Sequence, residues 1–372
     1  MIYLDYAANT PVDKAVLDSY VAASTEYIAN PNSVHLLGRQ ANERMEEATK
    51  KIAEILRVKP EEIIYTSGAS EANNLAIKGV AREYRNVGKH IISTGLEHSA
   101  VSGTLTYLQS LGYEIDLLSI NSDGTVDLEH LRELLRKDTI LVTIGYVDSE
   151  LGVEQPISEI AKILEAYPDC KFHTDATQAV GKIPVDFKGV DLVSFAPHKF
   201  FGLNGCGVLI KKEEVKLEAL IHGGSSTTAY RSGTPVLNMA VATEKALELA
   251  YERMDDAIAH VQGLNTMLRD ALKPYKQVRI NSTEKSIPYT LNLSAKGIKA
   301  EVMRQALEEK GFAVSTKSAC SVLTTPSRAV LEVSKDRKAA LSSFRISMSH
   351  LTTEAEIKSF LESFDQVVKE LL

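Results

Sequence analysis

Between Glu62 and Ile210 the sequence switches repeatedly between two periods. Short apolar runs read as strands: Glu62-Ile-Ile-Tyr-Thr66, His90-Ile-Ile-Ser-Thr94, Ile140 to Val147, Phe172-His-Thr-Asp175, Leu192 to Ala196 and Gly207 to Ile210. Stretches with helical spacing lie among them, at 71–84, 100–111 and 157–167. Parallel strands need long crossovers, so this alternation predicts an α/β fold with a mostly parallel sheet covered on both faces. Upstream, 13–29 and 36–57 also have helical spacing, and the second ends before Lys59-Pro60. After Thr234-Pro235 the pattern changes. Residues 236–272 read as one long helix. Two strand-like runs, Leu291-Asn-Leu-Ser294 and Phe344-Arg-Ile-Ser347, then alternate with helices near 299–310 and 353–371. This predicts a second, smaller α+β unit, and 372 residues exceed one ordinary core.

Charge and cysteine usage narrow the function classes. A net charge of −7 gives no electrostatic case for nucleic acid or an anionic membrane surface. No apolar run approaches a membrane span, and Met1-Ile-Tyr-Leu-Asp5 lacks the basic and apolar regions of a signal peptide. Cys170, Cys206 and Cys320 are too few and too widely spaced for a disulfide framework or a zinc site. They suit a reducing compartment, so the expected location is the cytoplasm.

In a parallel sheet ligands gather outside the carboxyl ends of the strands. The stretch from Asp191 to Gly207 is the plainest example. Its apolar strand stops at Pro197, which cannot continue a ladder, and His198-Lys199 follow. Lys199 reads either as a solvent-facing loop residue or as a desolvated amine suited to Schiff-base chemistry. Thr66-Ser-Gly-Ala-Ser-Glu71 reads either as an ordinary helix start or as an anion site, with Gly68 permitting close backbone approach. His98 reads as a loop residue, a flat ring for stacking or a proton relay. Asp175 ends another strand, as a helix cap or as a carboxylate opposed to a ring nitrogen; Gln178 is placed to donate to a ring oxygen. His222 to Thr234, rich in hydroxyls and glycines, reads as a phosphate donor or a linker. Cys320 lies close to Lys317 in a run of small residues, where a thiolate is favoured, whereas Cys170 and Cys206 look structural. Arg345 in a strand pattern suits bidentate capture of a carboxylate, or an edge strand.

Together these features resemble the cysteine desulfurases, pyridoxal-phosphate enzymes of the class V aminotransferase group. The matching stretches are Tyr3-Leu-Asp-Tyr-Ala-Ala8, Asn30 to Arg39, Ser67 to Gly79, His173 to Lys182, Arg231-Ser-Gly-Thr-Pro235 and Ser318-Ala-Cys-Ser321. The resemblance implies a fold-type I transferase. Its large cofactor-binding domain at 14–250 would hold a seven-stranded sheet, and a smaller domain of 1–13 and 251–372 would carry the Cys loop. It implies that Lys199 binds the cofactor as a Schiff base and abstracts the substrate α-proton. It also implies that His98 stacks on the pyridine ring, Asp175 pairs with the ring nitrogen and Gln178 with the phenolic oxygen. Ala69, Ser70 and His198 would hold the phosphate, with Thr234 supplied by the second subunit of a homodimer. Arg345 would clamp the carboxylate of L-cysteine and Cys320 would attack its sulfur. The products would be alanine and a Cys320 persulfide for an acceptor protein. That acceptor would serve iron–sulfur assembly or the thiolation of tRNA or a cofactor.

Some positions depart from the family pattern. Asp148-Ser149-Glu150 stands where Asn-Asn-Glu is usual; the resemblance implies that Ser149 takes a cofactor-binding position, in place of an Asn that contacts substrate and cofactor. Ala196 replaces a Ser, Ser70 a Thr, Gly202-Leu-Asn-Gly205 a Gly-Pro-Lys-Gly, and 225–228 a Gly-Gln/His-Glu segment. These changes raise two other readings: a related lyase for selenocysteine or cysteine sulfinate, and a low-turnover paralogue that depends on a partner.

Overall fold

The computed structural model describes residues 1–224, 226–317 and 325–371. Among these the strands, in chain order, are β1 (Ile2–Tyr3), β2 (Ile63–Thr66), β3 (His90–Thr94), β4 (Glu114–Leu118), β5 (Thr139–Thr143), β6 (Lys171–Asp175), β7 (Leu192–Phe195), β8 (Gly207–Lys211), β9 (Val278–Ile280), β10 (Thr290–Ala295), β11 (Phe312–Ala313) and β12 (Ser343–Ser347). The helices are α1 (Lys14–Glu26), α2 (Leu36–Leu56), α3 (Ala69–Glu83), α4 (Ser99–Ser110), α5 (Leu128–Leu134), α6 (Ile157–Leu164), α7 (Leu237–Glu252), α8 (Met254–Leu272), α9 (Ala300–Glu309), α10 (Arg328–Ser334), α11 (Arg337–Leu341) and α12 (Glu354–Leu371).

The central sheet has seven strands among the described residues, in the order β2-β8-β7-β6-β5-β3-β4. Every neighbouring pair is parallel except the two that involve β8. Apolar neighbours along a strand take opposite faces. Ile91, Leu141 and Leu209 pack with α3 and α4, while Ile92, Val142 and Ile210 join the larger apolar cluster on the other side. Both faces are therefore covered, which is why these strands carry continuous rather than alternating apolar residues. α3 lies close on one face through small residues, and a Cβ at Gly79 would come 3.1 Å from Leu217 Cβ.

Beyond α7 a three-stranded antiparallel sheet, β12-β10-β9, packs with α8, α9 and α12. The chain's first residues join this region, where β1 runs parallel to β11 and Asp5 bridges Ser347. Among the described residues no helix is long and apolar enough to cross a membrane.

Besides short elements that the sequence reading did not name, such as α5, β9, α10 and α11, three features differ from it. The expected helix over 236–272 breaks at Arg253 (φ −94°, ψ 0°), whose side chain is tied elsewhere. Its Nη2 donates to Asp13 Oδ2 at 2.9 Å and its Nη1 meets His350 Nε2 at 2.9 Å, joining the two ends of the chain. The strand at 140–147 stops at Thr143, since the chain must leave the ladder to form the site loop. β4 escaped prediction because it is a sheet edge, half exposed along Glu114–Leu118 and without an apolar run.

Candidate active site

β2, β3, β5, β6 and β7 all point the same way, so their carboxyl ends open on one edge of the sheet. A cavity of about 410 Å³ lies there, within the usual size of small-molecule sites (roughly 300–1,000 Å³). Ala69, Ser70, His98, Ser149, Asp175, Gln178, His198, Lys199 and Arg345 all line it. Thr234 does not, and is exposed. Cys320, with the rest of 318–324, and Ser225 lie outside the described residues.

Lys199 ends a single 3-10 turn, Pro197–Lys199, that follows β7. Its Nζ donates to the carbonyls of Ala7 (3.0 Å) and Ala8 (2.5 Å), so the N-terminal segment holds the amine. Thr10 clamps the same turn: its hydroxyl donates to His198 O (2.9 Å) and accepts from Phe201 N–H (2.8 Å). Phe201 has φ +69°, a left-handed conformation that costs a non-glycine residue of order 1–3 kcal/mol and is tolerated where surroundings over-determine it. Burial, with Lys199 and Lys182 nearby, pushes the His198 imidazole down to about 4, so this ring is a neutral donor.

Asp175 terminates β6 and is fixed from two sides. Oδ1 accepts from Thr177 N–H (3.0 Å) and Oδ2 from Asn73 Nδ2 (2.7 Å). His173, two residues earlier, points into the sheet. It pairs with Thr143 and Ser194, and burial drives it down to about 4. Gln178 Nε2 donates to Ala7 O (2.9 Å) and its Oε1 accepts from Lys182 Nζ (2.6 Å).

α3 starts at Ala69 with no side-chain cap on Gly68, leaving first-turn N–H groups directed at the cavity. Among the described residues a Cβ at Gly68 would meet nothing within 4 Å, so the backbone faces open space there. Opposite, a Cβ at Gly207 would sit 2.3 Å from Gly68 C, so only glycine lets the two chains approach. Arg231 pairs with Glu71 (2.9 Å), which brings part of the 222–234 segment to this helix start. Burial raises the Glu71 carboxyl, but bonds from Arg231 and Ser67 outweigh it and hold Glu71 below the usual range. His98 caps α4, its Nδ1 accepting from Ala100 N–H at 3.1 Å, which places the ring proton on Nε2.

Arg345 lies in the middle of β12 and is 2% exposed. Nη2 pairs with Asp5 Oδ1 (2.7 Å) and Nη1 donates to the Ser149 carbonyl (2.6 Å), while Nε is buried without a partner among the described residues. Ser149 thus holds Arg345 through its backbone, and its side chain is not needed for that contact.

Two carboxyls on this edge are strained electrostatically. Burial pushes Glu97 up to about 8, against bonds to its Oε1 from Gly145 N–H (3.0 Å) and Thr94 Oγ1 (2.8 Å). Burial, then Glu150, pushes Asp148 up to about 7. Neither residue was assigned a role from sequence, although Glu97 adjoins His98. Asn73, Lys182 and Asp5 were missed as well, and their only signal was that they fall within the matching stretches. Cys170 and Cys206 are buried, and burial raises both thiols, Cys170 to about 12.

These residues fit a phosphorylated heteroaromatic cofactor. An uncapped helix start with a bare glycine can cradle a phosphate. The anchored Asp175 can oppose a ring nitrogen, and the Lys199 amine, emerging on the same cavity, can bond a carbonyl carbon.

Comparisons with known proteins agree with this geometry. The family model described as Aminotransferase class-V matches residues 2–360. A "Cysteine desulfurase IscS" of Dictyoglomus turgidum is 38% identical over 375 residues, covering 100% of this chain and 95% of that protein. A solved "NifS-like protein" superposes with a TM-score of 0.93 at 34% identity, covering 100% of both chains. "SspA in complex with cysteine" superposes with a TM-score of 0.82 at 30% identity, covering 94% of this chain and 99% of that one.

Proposed function

The chain belongs to the class V aminotransferases and, within them, to the cysteine desulfurases, and we propose that it takes sulfur from L-cysteine and releases L-alanine. The observation that carries this reading is the convergence of Lys199, Asp175, Arg345 and the α3 start on one cavity. Pyridoxal phosphate is the cofactor of this family. Bound in the cavity, it supplies an electron sink for charge developing beside the substrate α-carbon.

The chain's own residues do the rest. The α3 start with Ala69 and Ser70, and the neutral His198, hold the phosphate. Asp175 holds the ring nitrogen, Gln178 the phenolic oxygen, and His98 covers the ring face. Arg345, already seated by Asp5 and Ser149 O, presents guanidinium donors to the substrate carboxylate. Lys199 takes the α-proton at Nζ. The Cys320 thiolate then attacks the substrate sulfur. A sulfur–sulfur bond forms, the carbon–sulfur bond breaks, and its electron pair stays on the β-carbon, which is protonated; the α-carbon then regains a proton from Lys199 and alanine leaves. Sulfur remains on Cys320 as a persulfide for an acceptor protein.

The working unit in this reading is a homodimer in the cytoplasm, built from a large unit at 14–250 and a small one at 1–13 and 251–372. The exposed Thr234 and the exposed Val21, Ile28, Val34, Leu36 and Leu37 of the α1–α2 region support a second copy. Steady-state assays of wild type and Cys320→Ala with L-cysteine, selenocysteine and cysteine sulfinate test the reading. Alanine release from cysteine that depends on Cys320 is expected. Equal rates for the two proteins, or preference for another substrate, would overturn it.

A further inference from the structure

Lys182 is 7% exposed, four residues beyond Gln178 in the turn that follows β6, and the mechanism leaves it unused. Its Nζ donates to Gln178 Oε1 at 2.6 Å. The charged side chains that act on it, Lys199 and Arg345, are both cations. The small cavity it shares with Lys199 is lined also by Tyr6, Arg253, Tyr289 and His350, with no carboxylate among the described residues. Burial, then Lys199 and Arg345, holds the amine well below its ordinary range.

Gln178 stands between this amine and the large cavity. A glutamine amide can turn end for end with little change of shape. Here two neighbours choose one orientation. Lys182 donates, so it requires the oxygen; the Ala7 carbonyl accepts, so it requires the nitrogen. The second Nε2 hydrogen is then left for the cavity.

We propose that Lys182 is a positioning residue under the cavity that fixes the Gln178 amide so that its remaining N–H donates to an anionic oxygen of the cofactor. The proposal rests on the pyridoxal-phosphate reading of that cavity.

The test is a pH titration of the visible absorbance of the holoenzyme. Gln178→Leu removes the donor to an anionic oxygen, and its midpoint is expected to rise by about one pH unit. Lys182→Met should shift the midpoint the same way, and Lys182→Met with Gln178→Leu no further than Gln178→Leu alone. Lys182→Gln, which keeps a donor, should restore the wild-type midpoint. A Lys182→Met shift that persists in full beside Gln178→Leu, or no shift at all, overturns the proposal. Absence of any visible band in wild type would instead overturn the cofactor reading. Urea unfolding of the same preparations gives a second readout. Unfolded Lys182 titrates near 10.5 and folded Lys182 lower, so between those values the unfolded state binds the extra proton. Wild-type stability should therefore rise with pH relative to Lys182→Met across that window. A flat difference would mean that Lys182 is not buried under the cavity in solution and would overturn its placement there.

Discussion

The cavity's two walls are built by different means. On the sheet side, Asp175 ends a strand; Ala69, Ser70, His98, His198 and Lys199 each follow a strand end by a few residues, and the parallel topology delivers them to one edge. On the other side, Arg345 meets Asp5 across 340 residues of sequence, and the Ala7 and Ala8 carbonyls hold Lys199 across 192 and 191. The sheet wall is fixed largely by local sequence and strand direction. The far wall exists only once the two ends of the chain have closed over it. The sheet wall thus suits holding a cofactor, and the far wall suits reading the substrate's carboxylate and keeping the reactive amine in place.

Breaking the far wall should have the largest effect. Arg345→Ala removes the carboxylate clamp and strands Asp5, and is expected to lower kcat/KM for L-cysteine by about 10³-fold. Cofactor absorbance should survive, because the sheet wall is intact. Spectra and kinetics on one preparation check both. On the sheet wall, Asn73→Ala removes one of the two bonds that fix Asp175. The expected loss is about 10- to 100-fold in kcat/KM, with weaker cofactor retention.

The next test concerns pH. Glu97 has its carboxyl pushed from 4.5 to about 8, so in that window the folded protein holds a proton that the unfolded chain has lost. Stability contributed at this position therefore falls as pH rises from about 4.5 to about 8. Glu97→Gln, which cannot ionise, should be favoured over wild type increasingly across that range in urea midpoints. Ser149→Ala should do least, changing kcat/KM by less than about threefold, because the carbonyl rather than the hydroxyl holds Arg345. A large loss there would move Ser149 into direct contact with the substrate.

The same contrast sets what could be read from sequence. Runs such as Thr139–Thr143 and His90–Thr94 are buried on both faces, so their composition announces them, and the residues after them follow. β4 is a half-exposed edge and gave no such signal. The break at Arg253 depends on Asp13 and His350, which no helical pattern around 253 contains. Arg345 was legible as a charge in a strand, but its partner Asp5 was not, since only tertiary closure pairs them. Lys182 and Asn73 looked like ordinary helix and turn residues. Their roles lie in hydrogen bonds to Gln178 and Asp175, which spacing does not encode.

The most direct test is a single turnover with L-cysteine in the absence of an acceptor, followed by mass spectrometry of the peptide that contains Cys320. One equivalent of alanine with that peptide heavier by one sulfur atom is the expected result, and neither should appear in Cys320→Ala. Alanine formed with no added sulfur on the peptide, and undiminished in Cys320→Ala, would contradict the assignment.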